Sequence, residues 1–535
     1  MHRLERRHRR RDDGPRADAA RRGRRRDHGP GRAVRGGAQA ARHPGDGARR
    51  ADGIAMPKLE LLSPALRDRI LSEAFLLLEV PGVKVHSAAA RALLAEAGAR
   101  VVDDVAHIPE AAVRRALATT PREFWLYDAA GRASVHYGGD DVHFDPGSTA
   151  VHVLDPDTGE HRSAVTADLV RLVQVAEALP QYDAQSTAVV CADVPAEITD
   201  LYRLYLVLRY SSKPVVTGAF ALSTLHVMRA MLTAVGGDGA SGRPRAIFDV
   251  CPSPPLIWSE FGAENLIALA RLRLPAEIVS MPLAGATAPA TLAGAVVQHA
   301  AECLSGLVIH QQAQPGAPIV WGGAPAVFDM RFGTTPFGAM ETAMIDAAYA
   351  QVGKHLGLPT HTYLCASDSK TLDAQAGLES GMTALVGALA GINMISGAGM
   401  LDYLACQSAE KLALDAEAIA MVRRLLAGIE ARGESLAAEL FARLGHSAEF
   451  LGARHTRQWF KAEQHLPSAL IDRASVRAWA ESGRPDSAAR ARARVAELLR
   501  QYQRPALVPE AEAELIHLTE QAAQRAGMEQ LPALS

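Results

Sequence analysis

Residues 246–251, AIFDVC, and residues 277–285, EIVSMPLAG, are two apolar runs separated by one amphipathic stretch, and the same cycle recurs on both sides of them. Upstream stand AVHVLD from Ala150, AQSTAVV from Ala184 and KPVVTG from Lys213; downstream stand PIVWGG from Pro318, THTYLCAS from Thr360 and INMISGAG from Ile392. The starts lie roughly 35 residues apart, the length of one strand-plus-helix unit. The runs are nearly continuous rather than alternating, which suits parallel strands covered by helices. Eight such units predict an α/β fold, a (β/α)8 TIM barrel, and a barrel places its chemistry at the carboxyl ends of the strands.

The helices between the runs carry their own start and stop signals. Asp168 in Thr166-Ala-Asp168 opens one with capping chemistry, Ser223 is expected to cap another that Gly236-Gly237 ends, and Pro289 suits a first helical turn. Ahead of the barrel, residues 64–80 and 87–98 have helical apolar spacing, and PREFWLYDAAGRASVHYGG reads as a hairpin turning at Ala130-Gly131. The expected organisation is an Arg-rich leader over 1–55, a small N-terminal α+β region over 56–147, the barrel over 148–432 and a helical C-terminal extension over 433–535.

With 535 residues, 48% hydrophobic and 22% charged, the chain has ample core-forming material, and its net charge of −2 carries no general nucleic-acid signature. Residues 1–50 hold 17 Arg and 6 acidic residues and almost no large apolar side chain, so they are read as a disordered leader or as translated sequence ahead of Met56. They contain no apolar core of a secretory signal. The apolar stretch after Pro289 carries His299 and Glu302 and is read as a barrel helix, not a membrane span. Five cysteines without a CxxC pair exclude a disulfide framework and fit a reducing cytoplasm.

Two polar strand exits are the strongest local signals. WGGAPAVFDMRFGTTPFGAME brings Trp321, Gly323, Phe328, Asp329, Arg331 and Phe337, and CASDSKTLDAQAG brings Asp368, Lys370 and Gln375. Charges of both signs beside small residues at a catalytic rim suggest a ligand site. Gly285, Gly323, Gly397 and Gly399 are expected to keep the mouth open, and the SGAGMLDY turn from Ser396 to let backbone approach a ligand closely. Phe220, Trp258, Trp321, Phe328 and Phe337 are aromatic candidates for holding an ammonium ion. Gly237-Asp-Gly239-Ala-Ser-Gly242 matches GxGxxG formally, but a helix precedes it and a strand follows, the reverse of a dinucleotide site. His361, Cys365 and Cys251 lack metal-ligand spacing, and no resident metal is expected.

Three long stretches, MPLAGATAPATLAGAVVQHAAECLSGLVIHQQAQPGAPIVWGG, FDMRFGTTPFGAMETAMIDAAYAQVGKHLGLPTHT and SDSKTLDAQAGLESGMTALVGALAGINMISGAGML, together with VLDPDTGEHRSAVTADLVRLVQVAEALP, resemble the trimethylamine methyltransferase family. The resemblance runs from about Leu61 to about Gln503. It implies transfer of an N-methyl group from a methylated amine to the Co(I) of a corrinoid (cobalamin) carried by a separate small protein, with no cofactor held permanently. Archaeal trimethylamine members use pyrrolysine; all residues here are among the common twenty, so the chain resembles the relatives that demethylate quaternary amines such as glycine betaine. On this reading Trp321, Phe328 and Phe337 embrace the cation, Asp368 balances its charge beside Lys370 and Gln375, and Arg331, paired with Asp329, or Lys370 holds a substrate carboxylate. A homo-oligomer acting on a small methylated amine, without nucleic acid or membrane, is expected. Direct transfer to tetrahydrofolate and a non-catalytic amine-binding barrel are the alternatives.

Overall fold

Eight strand–helix units alternate along the chain in the computed structural model, which describes residues 57–237, 242–447 and 449–534. The strands are β1 (His143–Pro146), β2 (Gln185–Ser186), β3 (Val215–Thr217), β4 (Ala246–Val250), β5 (Ala276–Ser280), β6 (Ile319–Gly323), β7 (His361–Thr362) and β8 (Met394–Ala398). The helices that follow them are α1 (Thr166–Ala178), α2 (Thr199–Tyr210), α3 (Leu222–Ala234), α4 (Glu260–Leu272), α5 (Leu292–Ala313), α6 (Met340–His355), α7 (Ala374–Leu389) and α8 (Ala409–Leu426). The leader over 1–55 and the core of the GxGxxG stretch, 238–241, lie outside the described residues.

The closed eight-stranded ladder expected from the spacing is not what the strands form. They make two parallel sheets, one in the order β6-β5-β4-β3-β2 and one in the order β7-β8-β1. Between β6 and β7 a single bridge joins Trp321 to Thr360, where Trp321 N–H donates to the Pro359 carbonyl at 2.9 Å. At the other seam, Asp183 N–H donates to the Phe144 carbonyl at 2.8 Å, just ahead of β2. The fold is α/β with parallel sheets, and its ladder is interrupted at two places.

The first strand also lies earlier than expected. β1 pairs with β8 in the register Met394–His143 and Ser396–Asp145. The run from Ala150 instead supplies His152–Leu154 to a separate small sheet with Cys406–Gln407 and His161–Ser163. Asp145-Pro146-Gly147 reads locally as a turn, but Asp145 is fully buried and turned into the protein.

Helix starts follow elementary capping. The side chains of Ser259, Thr291, Asp373 and Ser408 accept the N–H groups of Gly262, Gly294, Ala376 and Lys411 at the heads of α4, α5, α7 and α8. At α1 the Asp168 carboxylate accepts Val165 N–H at 2.9 Å. Ser223 is not a cap, since α3 begins one residue earlier behind Ala221, and Pro289 lies ahead of the Thr291 cap rather than in the first turn.

α5 is apolar nearly all round, and 83% of its most apolar 18-residue window is buried. The reason is two-sided cover. One side packs on β5 and β6, and the other is covered by the helices Pro64–Glu79, Ala88–Glu96 and Glu110–Thr119. Further along the chain, the helix Ser487–Gln501 packs on α8 and α1, and Pro509–Arg525 packs on α3 and α2.

The hairpin Phe124–Tyr127/Ala133–Tyr137 meets the amino-terminal part of the strands. Leu126, Val135 and Tyr137 from the hairpin form one buried cluster with Ala184, Val216, Ile247, Val320 and Met394. Five strand regions thus contribute one apolar side chain each, sealed by the hairpin. Leu126→Ala should therefore lower unfolding stability by about 2–5 kcal/mol, read by chemical denaturation; a change near zero would show that the hairpin does not close this cluster.

Candidate functional site

Residues two apart on a strand share a face, so the next side chains beyond that apolar cluster can be read from the register. Beyond Ile247 on β4 comes Asp249; beyond Met394 on β8 comes Ser396; beyond Val320 on β6 comes Gly322. Glu277 on β5, Asp145 on β1 and His361 on β7 fall at the same level, and all three are 0% exposed. Above them, Tyr363, Val279 and Ala324 pack with Phe337. The inner face is layered: apolar at the amino ends, acidic in the middle, aromatic and apolar at the carboxyl ends.

The acidic layer is tightly joined. Glu277 Oε1 lies 2.6 Å from His361 Nδ1, without the alignment of a hydrogen bond. The Tyr363 hydroxyl donates to Asp249 Oδ2 at 2.7 Å, and the Ser396 hydroxyl to Asp145 Oδ1. The His361 and Tyr363 rings meet edge to face at 5.0 Å. Gly322 makes the room, since a Cβ there would sit 2.9 Å from the Ile278 carbonyl, 3.0 Å from Glu277 Cγ and 3.1 Å from His361 Nδ1. Several polar atoms in this layer have no hydrogen-bond partner, Asp145 Oδ2, His361 Nε2 and the Tyr137 hydroxyl among them, while the Glu277 and Asp249 carboxyl groups have only each other as an acid–acid pair for their remaining oxygens. Buried polar atoms are ordinarily satisfied, so an unpartnered set on one inner face marks a place for a ligand.

Desolvation governs the charges here. Burial pushes the Glu277 carboxyl up to about 8 and pulls the His361 imidazole down to about 4. Asp249 and Asp145 are held well above the carboxylate range by burial, with repulsion from Glu277 adding to it. At neutral pH the Glu277–His361 contact is accordingly a neutral acid beside a neutral imidazole. The carboxyl groups titrate as a set rather than singly.

The strand-exit residues do not all reach this layer. Trp321 is corrected most clearly: it is 2% exposed and faces the helices, with its indole N–H donating to the Tyr349 carbonyl at 3.0 Å. Trp258 is likewise buried against α5, donating to Ser305 at 2.9 Å. Asp329 and Arg331 pair with each other at 2.6 Å on an exposed loop, with the Arg331 side chain 79% exposed. Gln375 donates to Glu379 at 2.9 Å on the surface, and Phe328 is half-buried beside that exposed loop. Lys370 donates to the Asp368 carbonyl at 2.6 Å and stands over the Tyr403 ring.

Asp368 accepts the N–H groups of Phe337 and Gly338 at 2.8 and 3.0 Å. Burial, with Glu379 nearby, raises its carboxyl to about 6. Both oxygens are engaged in pinning the loop that sets Phe337 against Tyr363. Among the glycines, Gly323 backs onto His299, Gly397 onto the Leu364 carbonyl and Gly399 onto Gln407 and Leu412, whereas Gly285 sits in a turn at φ +96°. Close approach at the first three is to the protein's own atoms, a correction to the open-mouth expectation.

Asp249, Glu277 and Asp145 lie within the strands themselves, not in the strand-exit loops. The available signal was a lone acidic residue inside each otherwise apolar strand, in AIFDVC, AEIVS and HFDP.

The family model for trimethylamine methyltransferase matches residues 22–527. The chain is 33% identical over 439 residues to trimethylamine methyltransferase MttB of Methanosarcina thermophila, covering 79% of this chain and 89% of that protein. It is 30% identical over 467 residues to the glycine betaine methyltransferase of Desulfitobacterium hafniense, covering 86% and 97%. A crystal structure of Methanosarcina barkeri monomethylamine methyltransferase aligns with a TM-score of 0.48 at 13% identity, over 84% of this chain and 91% of that one. The chain belongs to the trimethylamine methyltransferase family.

Glu277 has a folded pKa above its unfolded value, so its contribution to stability is full below the unfolded value and declines as pH rises through about 8. The Tm of Glu277→Gln should therefore gain on that of the parent between pH 5 and pH 9, seen by calorimetry across pH; parallel curves would contradict a buried neutral acid. Gly322→Ala should lower stability by about 1–3 kcal/mol through overpacking and abolish ligand binding, measurable by denaturation and titration.

Proposed function

We propose that this protein is a methyltransferase that takes an N-methyl group from a small quaternary or tertiary methylated amine held over the Asp145–Asp249–Glu277 layer. Its methyl acceptor is the Co(I) of a corrinoid carried by a partner protein. The observation that carries the reading is the set of three carboxyl groups on one inner face, Asp145 and Glu277 fully buried and Asp249 half-buried, beneath Tyr363 and Phe337. Membership of the methyltransferase family supplies the reaction type.

A quaternary ammonium has no N–H to donate, so it is recognised by field and by aromatic faces. A cation entering this layer favours the ionised carboxyl groups and displaces their protons. Once the methyl has gone, the amine is neutral, the carboxyl groups regain their protons and the product is held less tightly. A tertiary amine departs as a neutral secondary amine only if its nitrogen carries a proton, which Glu277 in its acid form can provide. Phe337, positioned by Asp368, and Tyr363 shield the methyl carbon from water.

The inner layer is enclosed between Tyr137 on one side and Tyr363 on the other, with Asp145 and Glu277 fully buried. A corrinoid is far larger than such a space and fits only at the carboxyl ends of the strands, where it supplies reduced cobalt as the nucleophile. We infer that the two sheets belong to one interrupted (β/α)8 ring, bridged at its seams by the Trp321–Thr360 and Asp183–Phe144 contacts. Five free thiols suit a reducing cytoplasm.

The test is incubation with reduced cobalamin and a panel of methylated amines, following the cobalt absorbance. Methylation of cobalt is expected, with kcat/KM falling at least about 100-fold in Glu277→Gln and Asp249→Asn. Tetramethylammonium should bind more tightly as pH rises toward 8, by up to about tenfold per unit, because binding releases a proton. A folate-dependent product without cobalamin, or saturable binding without turnover, would replace this reading.

A further inference from the structure

Arg203, on α2, is 0% exposed. Its Nη1 donates to the Thr149 hydroxyl at 3.2 Å and to the Thr187 carbonyl at 3.0 Å, both neutral acceptors, and its Nε has no partner. Lys411, equally buried, is matched differently and pairs with Asp415 at 2.6 Å. Asp200, one turn away on the same helix, is already engaged, accepting Leu201 N–H at 2.8 Å, Phe220 N–H at 2.6 Å and the Thr224 hydroxyl. Among the described residues Arg203 therefore has no ion pair, although a buried charge is expected to be paired.

Its place in the fold is as telling as its want of a counterion. Thr149 follows β1, Thr187 follows β2, and Phe220, whose ring lies 4.8 Å from the guanidinium carbon, follows β3. All three mark the carboxyl ends of the strands. The ionised forms of Tyr363 and Asp249, which belong to the aromatic layer and the acidic layer beneath it, act on the Arg203 guanidinium and favour its charge. Phe220 is 45% exposed, so the guanidinium lies beneath a ring that reaches solvent. Arg245, also buried without an ion pair, precedes β4 and sits a strand's length from that end.

We infer that Arg203 receives a carboxylate on the substrate, making it the residue that selects a zwitterionic methylated amine over a simple cation. The inference rests on the ammonium lying at the acidic layer. A guanidinium presents a planar fork that matches a carboxylate, and the anion replaces the missing counterion. Arg331 and Lys370, the basic residues of the strand exits, are instead occupied on the surface, by Asp329 and by Asp402 and Tyr403.

The experiment is titration calorimetry of the full chain with glycine betaine and with tetramethylammonium, on the parent, Arg203→Gln, Arg203→Lys and Glu277→Gln. The parent should prefer glycine betaine by at least about tenfold. Arg203→Gln should abolish that preference and Arg203→Lys, which keeps charge and bulk, should retain only part of it. Equal affinities in the parent, or a preference that survives in both Arg203 variants, would overturn the assignment. The two readings separate in the same data. If Glu277→Gln leaves both affinities unchanged, the cation site itself is wrong; if it weakens both while the preference ignores Arg203, only the carboxylate assignment fails.

Discussion

Desolvation of charge is the constraint on which this protein turns. Asp145, Glu277, His361 and Arg203 are fully buried and Asp249 is half-buried, in the middle of the parallel strands and at their carboxyl ends. An isolated ion would not be kept there, so the groups answer in different ways. The carboxyl groups retain protons and the imidazole gives its proton up, whereas Arg203, whose side chain stays protonated, is left with neutral partners. A cationic ligand entering this arrangement draws the carboxyl groups into their ionised form, while the Arg203 charge is present beforehand.

The rest of the fold keeps water away from those groups. The hairpin Phe124–Tyr137 seals the amino ends with Leu126, Val135 and Tyr137, so the acidic layer has an apolar floor. Gly322 lets Glu277 and His361 come within 2.6 Å, which no side chain at that position would permit. At the other end, Asp368 holds Phe337 against Tyr363 through two backbone N–H groups. α5, apolar on every side, fills the space between the strands and the N-terminal helices, joining that region to the layer that carries the chemistry.

The spacing of apolar runs predicted seven of the eight strands close to their observed positions; of the helix-start signals, Asp168 stands at the head of α1, whereas Ser223 and Pro289 do not cap their helices. β1 was displaced because Asp145-Pro146-Gly147 has the composition of a turn, and only pairing with β8 makes it a strand. The continuous ring does not form, because regular spacing counts units but does not measure whether each neighbouring pair has enough residues in register to form a ladder. Trp321 was misassigned for a related reason, because adjacent residues on a strand point to opposite sides and its glycine neighbour Gly322, not the tryptophan, faces inward.

The chain's own letters were enough for the α/β class, the order of its units and the family, since these depend on local periodicity and long contiguous motifs. They could not show which charged residues meet. Asp145, Asp249, Glu277 and His361 are separated by more than 200 residues from first to last, and Arg203 comes from a helix on the outside of the strands. Their meeting depends on strand register and on which face each strand turns inward, and their protonation depends on burial that no single segment produces. Tertiary structure decided both, because desolvation and charge–charge distance are properties of the assembled layer.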